Sequence, residues 1–200
     1  MMRMSACLAL AWCALGLFSA GGQSGLQESL TTTGQIVVEG RATKYIVRHL
    51  PVSSFPQLPT GVQNLLDQRG CLIPQTYEAH QPENVIEASL ERRGSKDWAV
   101  LCSVQGTVSL LVFFADGTVP AILASAPEME RLQARGEDGV LGFDWGIDPA
   151  SPQQVHEAQM GMRHPPARLD HDALADSIID QTTVYHYYSG NTWTVVDTQE

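Results

Sequence analysis

Apolar positions in this chain alternate or run on in short blocks, and the period of two dominates over the period of 3.6. Gln35-Ile-Val-Val38 and Lys44-Tyr-Ile-Val-Arg48 are rich in β-formers and read as two strands joined through Gly40. Pro51, Pro56 and Pro59 then mark an extended connection. Thr60 is positioned to cap a short helix over Gly61 to Gln68, with Val62, Leu65 and Leu66 on its inner face and Gly70 at its left-handed exit. The strongest β signal is central: Val85-Ile86, then Trp98 to Val104, then Thr107 to Phe114. The last two are nearly continuous apolar runs joined by Gln105-Gly106, which predicts a hairpin buried on both faces. Val119 to Leu123 reads as a further strand after the turn at Asp116-Gly117. Pro127 to Arg135 and Ser151 to Met160 read as helices, each with a proline near its start. Gly136 to Gly146, with four glycines, reads as an irregular loop. Tyr185 to Tyr188 and Trp193 to Val196, joined by Ser189-Gly-Asn191, form a C-terminal hairpin. The expected fold is a β-dominated α+β domain over residues 34–200, with antiparallel sheets and two or three short helices.

The start of the chain follows another pattern. Arg3 is the only charge before Glu28; behind it run the apolar stretch Ala6–Phe18 and the small residues Ser19-Ala20-Gly21-Gly22. A basic start, a short apolar core and a small-residue end are the parts of a secretory signal peptide. The apolar run is well short of the roughly twenty residues that a spanning helix needs. Residues 1–22 are therefore read as a signal peptide, cleaved before Gln23, and 23–33 as a loose polar leader. The expected location is periplasmic or extracellular, with no membrane span after cleavage. The chain has 12 lysines and arginines against 22 aspartates and glutamates, a net charge of −10. That balance repels phosphate backbones and disfavours nucleic acid as a partner. Of four cysteines, Cys7 and Cys13 leave with the signal, and Cys71 and Cys102 remain as one pair in an oxidising compartment. A disulfide between them closes a loop of about thirty residues, for which chain entropy gives roughly 3–4 kcal/mol.

Two segments of the chain share a spaced acidic pattern. Ala88-Ser-Leu-Glu-Arg-Arg-Gly-Ser-Lys-Asp97-Trp-Ala-Val and Ala167-Arg-Leu-Asp-His-Asp-Ala-Leu-Ala-Asp176-Ser-Ile-Ile share the pattern Ala-x-Leu-acid-x-x-small-x-x-Asp-x-apolar-apolar. Each precedes a strand pair joined through a glycine, Gly106 or Gly190. Such a unit is a turn held by an Asp that accepts from backbone amides, followed by two strands. These segments resemble the FG-GAP or VCBS repeat of extracellular β-propellers, whose loop reads Asp-x-Asp-x-Asp-Gly-x-x-Asp. The resemblance covers about thirty residues in each of two places. The first copy has Ser89 and Arg93 where the family has acids, and the second has Arg168 for the first acid and Ala173 for the glycine. Two units cannot close a ring of roughly four or more blades, so local turn geometry alone carries over.

That resemblance implies one candidate metal site, since family loops hold Ca²⁺ with spaced carboxylates. Asp170, Asp172 and Asp176 keep three of those positions. The histidines His156, His164 and His171 match no zinc-ligand spacing. The sequence contains no Gly-x-Ser-x-Gly, no Ser-x-x-Lys and no glycine-rich phosphate loop. Tyr185, Tyr187, Tyr188 and Trp193 form the leading candidate for a binding surface, because Tyr185 and Tyr187 face one side of a strand and Tyr188 the other, which leaves one side only partly buried. The expectation is a binding domain that engages an envelope or extracellular protein or a glycan. Two alternatives stand beside it: an envelope hydrolase using carboxylates or a metal near Asp170–Asp176, and a calcium-stabilised structural module.

Overall fold

A computed structural model of the chain describes residues 30–115, 117, 119–135, 139–160, 162, 168–196 and 198. The predicted signal peptide, the leader up to residue 29 and His164 lie outside these residues. The described residues open with a long hairpin, β1 (Leu30–Val38) against β2 (Arg41–Pro51), turned at Glu39 and Gly40 with φ of 50° and 79°. Two successive left-handed residues make the type I′ turn that suits the twist of paired strands. Thr31–Thr33, read from sequence as leader, belong to β1. Their β-branched side chains fit a strand, and they pair with Arg48, Val47 and Ile46.

A short 3-10 turn at Val52–Ser54 interrupts the proline-rich connection before helix α1 (Thr60–Gln68). Thr60 is the first residue of the helix and does not cap it; Pro59 holds the cap position without a side-chain bond. Gly70 leaves the helix at φ 70°, the left-handed exit that the sequence predicts. Strands β3 (Leu72–Gln75), β4 (Val85–Ala88), β5 (Asp97–Val104), β6 (Thr107–Phe113) and β7 (Ala121–Pro127) follow. β5 and β6 are joined through Gln105 and Gly106, again both at positive φ.

The segment predicted as a helix over 127–135 differs in the structure, as does the predicted loop over 136–146 from residue 141 on, while 136–138 lie outside the described residues. A 3-10 turn at Glu128–Arg131 leads into β8 (Leu132–Ala134), which pairs with β9 (Leu141–Phe143). The turn is short because Glu128 is drawn into the interior by His49 and Ser103. The glycine in β9 serves packing: a Cβ on Gly142 would stand 2.4 Å from the Tyr77 ring. β10 (Trp145–Ala150), α2 (Pro152–Ala158), β11 (Ala173–Ile178), β12 (Thr182–Ser189) and β13 (Thr192–Val196) are the remaining elements of the described residues. Ser151 caps α2 with a capping box to Gln154, and Pro152 opens the helix.

Among the described residues nine strands form one sheet in the order β7-β6-β5-β3-β2-β9-β8, with β1 on β2 and β4 on β5. Only β2–β9 is parallel among the described pairs. The second sheet is β10-β11-β12-β13, antiparallel throughout. The continuous apolar runs of β5 and β6 have the expected cause, because each face meets a different layer. Trp98, Val100, Cys102, Leu111 and Phe113 pack with Val62 and Leu66 of α1. Ala99, Leu101, Leu110 and Val112 meet Trp145, Ile147 and Leu174 of the second sheet. Burying a side chain such as Leu66 stabilises by roughly 1.5–3 kcal/mol. The outer face of the second sheet, Ala150, Ala173 and Ala175, is covered by Val155 of α2.

The described residues form one α+β domain, β-dominated, with two helices and one disulfide. Cys71 and Cys102 are bonded, with Cα atoms 5.4 Å apart, and tie the exit of α1 to β5. Among the described residues no helix is long and apolar enough to cross a membrane.

Candidate functional site

The three aspartates proposed as calcium ligands stand on or just before β11, and the fold sends each to a different place. Asp170 lies on the surface, 2.6 Å from His171 Nδ1, and accepts from the Tyr187 hydroxyl at 2.8 Å. Those two hydrogen bonds, Tyr187's first, hold its carboxyl below the usual aspartate value. Asp172 accepts from the Ser89 amide at 3.1 Å while its own amide donates to the Ser89 carbonyl. Asp176 points into the interior between the sheets, accepting from the Trp145 indole and lying 3.1 Å from His186 Nε2. Among the described residues no set of three His, Cys, Asp or Glu side chains converges as a metal site.

The aromatic residues divide as strand alternation predicts. Tyr185 and Tyr187 pack on the α2 side, and Tyr187 stacks on His171 at 4.5 Å. Burial, with the bond to Asp170, raises the Tyr187 hydroxyl above its ordinary pKa. Tyr188 and Trp193 face the first sheet and meet Phe114, at 4.7 Å for Phe114–Tyr188 and 5.2 Å for Tyr188–Trp193. All four rings are half-buried and spend much of their area on packing within the domain.

Two polar centres have no motif in the sequence. In the first, His49 Nε2 lies 2.9 Å from Glu128 Oε2, and Ser103 donates to the same oxygen at 2.7 Å. All three are nearly fully buried. Burial pushes the Glu128 carboxyl up, but the bonds from His49 and Ser103 outweigh it and hold it below the usual glutamate value. Serine here donates to the acid rather than to the histidine, so the trio braces β2, β5 and the Glu128 turn instead of activating a hydroxyl. In the second, Asn84 at φ 68° donates to the carbonyls of Pro74 and Trp145 and accepts from the Ile147 amide, joining the two sheets. Only contacts distant in sequence reveal either.

The remaining feature is the free side of β1. Among the described residues β1 pairs with β2 alone, and β3 and β9 take the opposite side of β2. The two-residue turn makes Val38–Arg41 a hydrogen-bonded pair, and pairs alternate from there. The amides and carbonyls of Thr31, Thr33, Gln35 and Val37 therefore point away from β2. From Leu30 to Val38 no residue is charged, and six of the nine are β-branched. Val37 is 74 % exposed and Leu30 47 %. Gly34 leaves room for the Tyr45 ring, which a Cβ would meet at 2.7 Å. A groove of about 410 Å³ runs along the same hairpin past Lys44, Ile46 and Val140. No protein-family model matches this chain, and no curated protein and no solved structure is found to match it. Its geometry therefore stands by itself: a nine-residue, charge-free strand with one ladder of hydrogen-bonding groups open. Natural sheets usually guard such an edge with lysine, proline, a bulge or a covering loop.

Proposed function

We propose that this chain is an exported domain that acts by binding protein, with the β1–β2 hairpin as its contact surface. The observation that carries the reading is the open ladder of β1, a template for an added strand. In strand addition the main chain supplies the hydrogen bonds and alternate side chains supply selectivity. Thr31, Thr33, Gln35 and Val37 would form the ladder, and Ile46 and Lys44 would flank it. Export is supported by the basic, apolar and small-residue order of residues 1–22 and by the Cys71–Cys102 disulfide, a bond that persists outside the cytosol.

The test is capture of envelope and secreted proteins on the tagged domain, with untagged chain present in the same mixture. Thr33→Pro removes one outward donor without breaking a bond to β2, because Thr33–Ile46 is not a hydrogen-bonded pair. A protein retained by the wild type and reduced at least tenfold on Thr33→Pro, at unchanged melting temperature, supports the reading. Equal retention by both forms, or no retention by either, refutes it.

A further inference from the structure

We infer that the occupant of the β1 edge is β1 of a second copy of this chain, paired antiparallel about a twofold axis at Gly34. The inference rests on the reading of the hairpin as the contact surface and names its partner. A strand that pairs with itself antiparallel generates the isologous contact of a closed dimer. Only pairings that put outward-facing residues opposite one another satisfy the open ladder. Among these, the register through Gly34 gives all nine residues a partner. Thr31 then faces Val37, and Thr33 faces Gln35, of the other copy. These pairs use the eight open amides and carbonyls of each strand, for about eight bonds across the axis. The intervening positions place Leu30 opposite Val38 and Thr32 opposite Ile36, so the exposed apolar ends of one strand cover those of the other. At the axis two glycines meet, and each is covered by its own Tyr45 ring.

Charge favours this occupant. The chain carries −10 overall, so most of its surface repels a second copy. β1 is a strip without charge, and two such strips meet with no like-charged contact. Of the charges nearest the strand, Glu39 stands in the turn past Val38, ten residues along the strands from its counterpart, and Lys44 on β2 lies three strand spacings from its own, at least about 14 Å. That exceeds the Debye length of about 8 Å at physiological ionic strength. An interface of one strand pair with its flanking side chains is small, so association depends on concentration.

Sedimentation velocity of the exported chain, from low micromolar to several hundred micromolar, reads the proposal directly. A monomer–dimer equilibrium is expected. Gln35→Lys leaves the exposed hairpin intact but sets two lysines diagonally across the axis, about 7–8 Å apart, and should weaken the dimer at least tenfold. Register is tested by the double variant Thr32→Cys/Ile36→Cys. Its cysteines are too far apart along one strand to join each other, but each faces its mate in the dimer. Oxidation should give a covalent dimer on a non-reducing gel, and neither single variant should. A chain that stays monomeric overturns the proposal, as does a dimer indifferent to Gln35→Lys or one that the paired cysteines do not trap. A monomer that captures some other protein in a Thr33-dependent way overturns the second copy and leaves the binding reading standing. Loss of both capture and self-association removes both.

Discussion

Replacing Asp97 with asparagine should be the most damaging near-isosteric change in this domain. Asp97 is 0 % exposed at the first residue of β5. One carboxylate oxygen accepts from the amides of Leu90 and Glu91, at 2.8 and 2.7 Å, and from the Ser95 hydroxyl. The other accepts from the Ala115 amide at 3.0 Å, across the hairpin end. Asparagine keeps one oxygen and turns an amino group toward amides at the other position. At least one charge-assisted bond is lost and a buried donor is left unpaired. A hydrogen bond to a charged group contributes about 1.5–3 kcal/mol, and an orphaned buried donor costs about 1–3 kcal/mol. The sum is about 2.5–6 kcal/mol, a large part of the 5–15 kcal/mol that typically holds a domain together. For a domain of this size about 1 kcal/mol moves the melting temperature by roughly 2–4 °C, so a fall of about 5–24 °C is expected by calorimetry. Asp170→Asn is the control, because that carboxylate lies on the surface. A drop below about 3 °C for Asp97→Asn would show that the turn does not depend on the carboxylate.

Three further outcomes concern Glu128, Gly142 and the aspartates around β11. Glu128 has a depressed folded pKa, so its carboxylate stabilises the domain above the ordinary glutamate value near 4.3, and that stabilisation fades as the pH falls through the folded value. Glu128→Gln should therefore lower stability by about 2 kcal/mol at pH 7. In urea titrations the gap to wild type should narrow progressively as the pH falls below the ordinary glutamate value near 4.3; a pH-independent gap contradicts the sign. Gly142→Ala should cost about 1–3 kcal/mol by forcing the Tyr77 ring aside. Its cost should fall in a Tyr77→Ala background, and additivity of the two changes would exclude the contact as the cause. Calcium at about a hundred times a typical extracellular-site Kd would add roughly 2.7 kcal/mol to a chain that binds it. With Asp170, Asp172 and Asp176 engaged separately, the melting temperature should instead stay within about 1 °C.

The fold was most legible where local pattern and burial agree. β5 and β6 are apolar on successive residues because both faces are covered, and Gln105-Gly106 has the length and the left-handed φ values of a tight hairpin. Ser151 and Pro152 likewise announce α2 with local chemistry. Legibility fails where a distant partner decides. The turn at Glu128 looks helical by composition, yet its side chain is held by His49 and Ser103, which are 79 and 25 residues away. The glycines of 136–146 look like a loop, but Gly142 sits in a strand because a tyrosine needs its space. Thr31 to Thr33 look like a polar leader because β1 is an edge, and an edge needs no apolar side chains to be a strand.

The candidate sites divide along the same line, and the two segments that share the acidic pattern show why. Asp97 and Asp176 occupy equivalent places in the shared pattern. Asp97 holds the backbone of its own turn, as the pattern suggests. Asp176 lies within β11, paired with Ile147 and Val184, and its side chain faces the first sheet rather than a loop. What it finds there is the indole of Trp145 and the ring of His186, both brought by other strands. The same residue in the same local spacing thus serves a turn in one copy and an inter-sheet bond in the other. A short acidic pattern specifies a ligand set only if the chain around it bends so that its carboxylates converge, and strand geometry prevents that by sending successive side chains to opposite faces. The open edge of β1 is the converse case. Its chemistry resides in the backbone, which no side-chain motif records, and it becomes visible only when the pairing of the neighbouring strands is known.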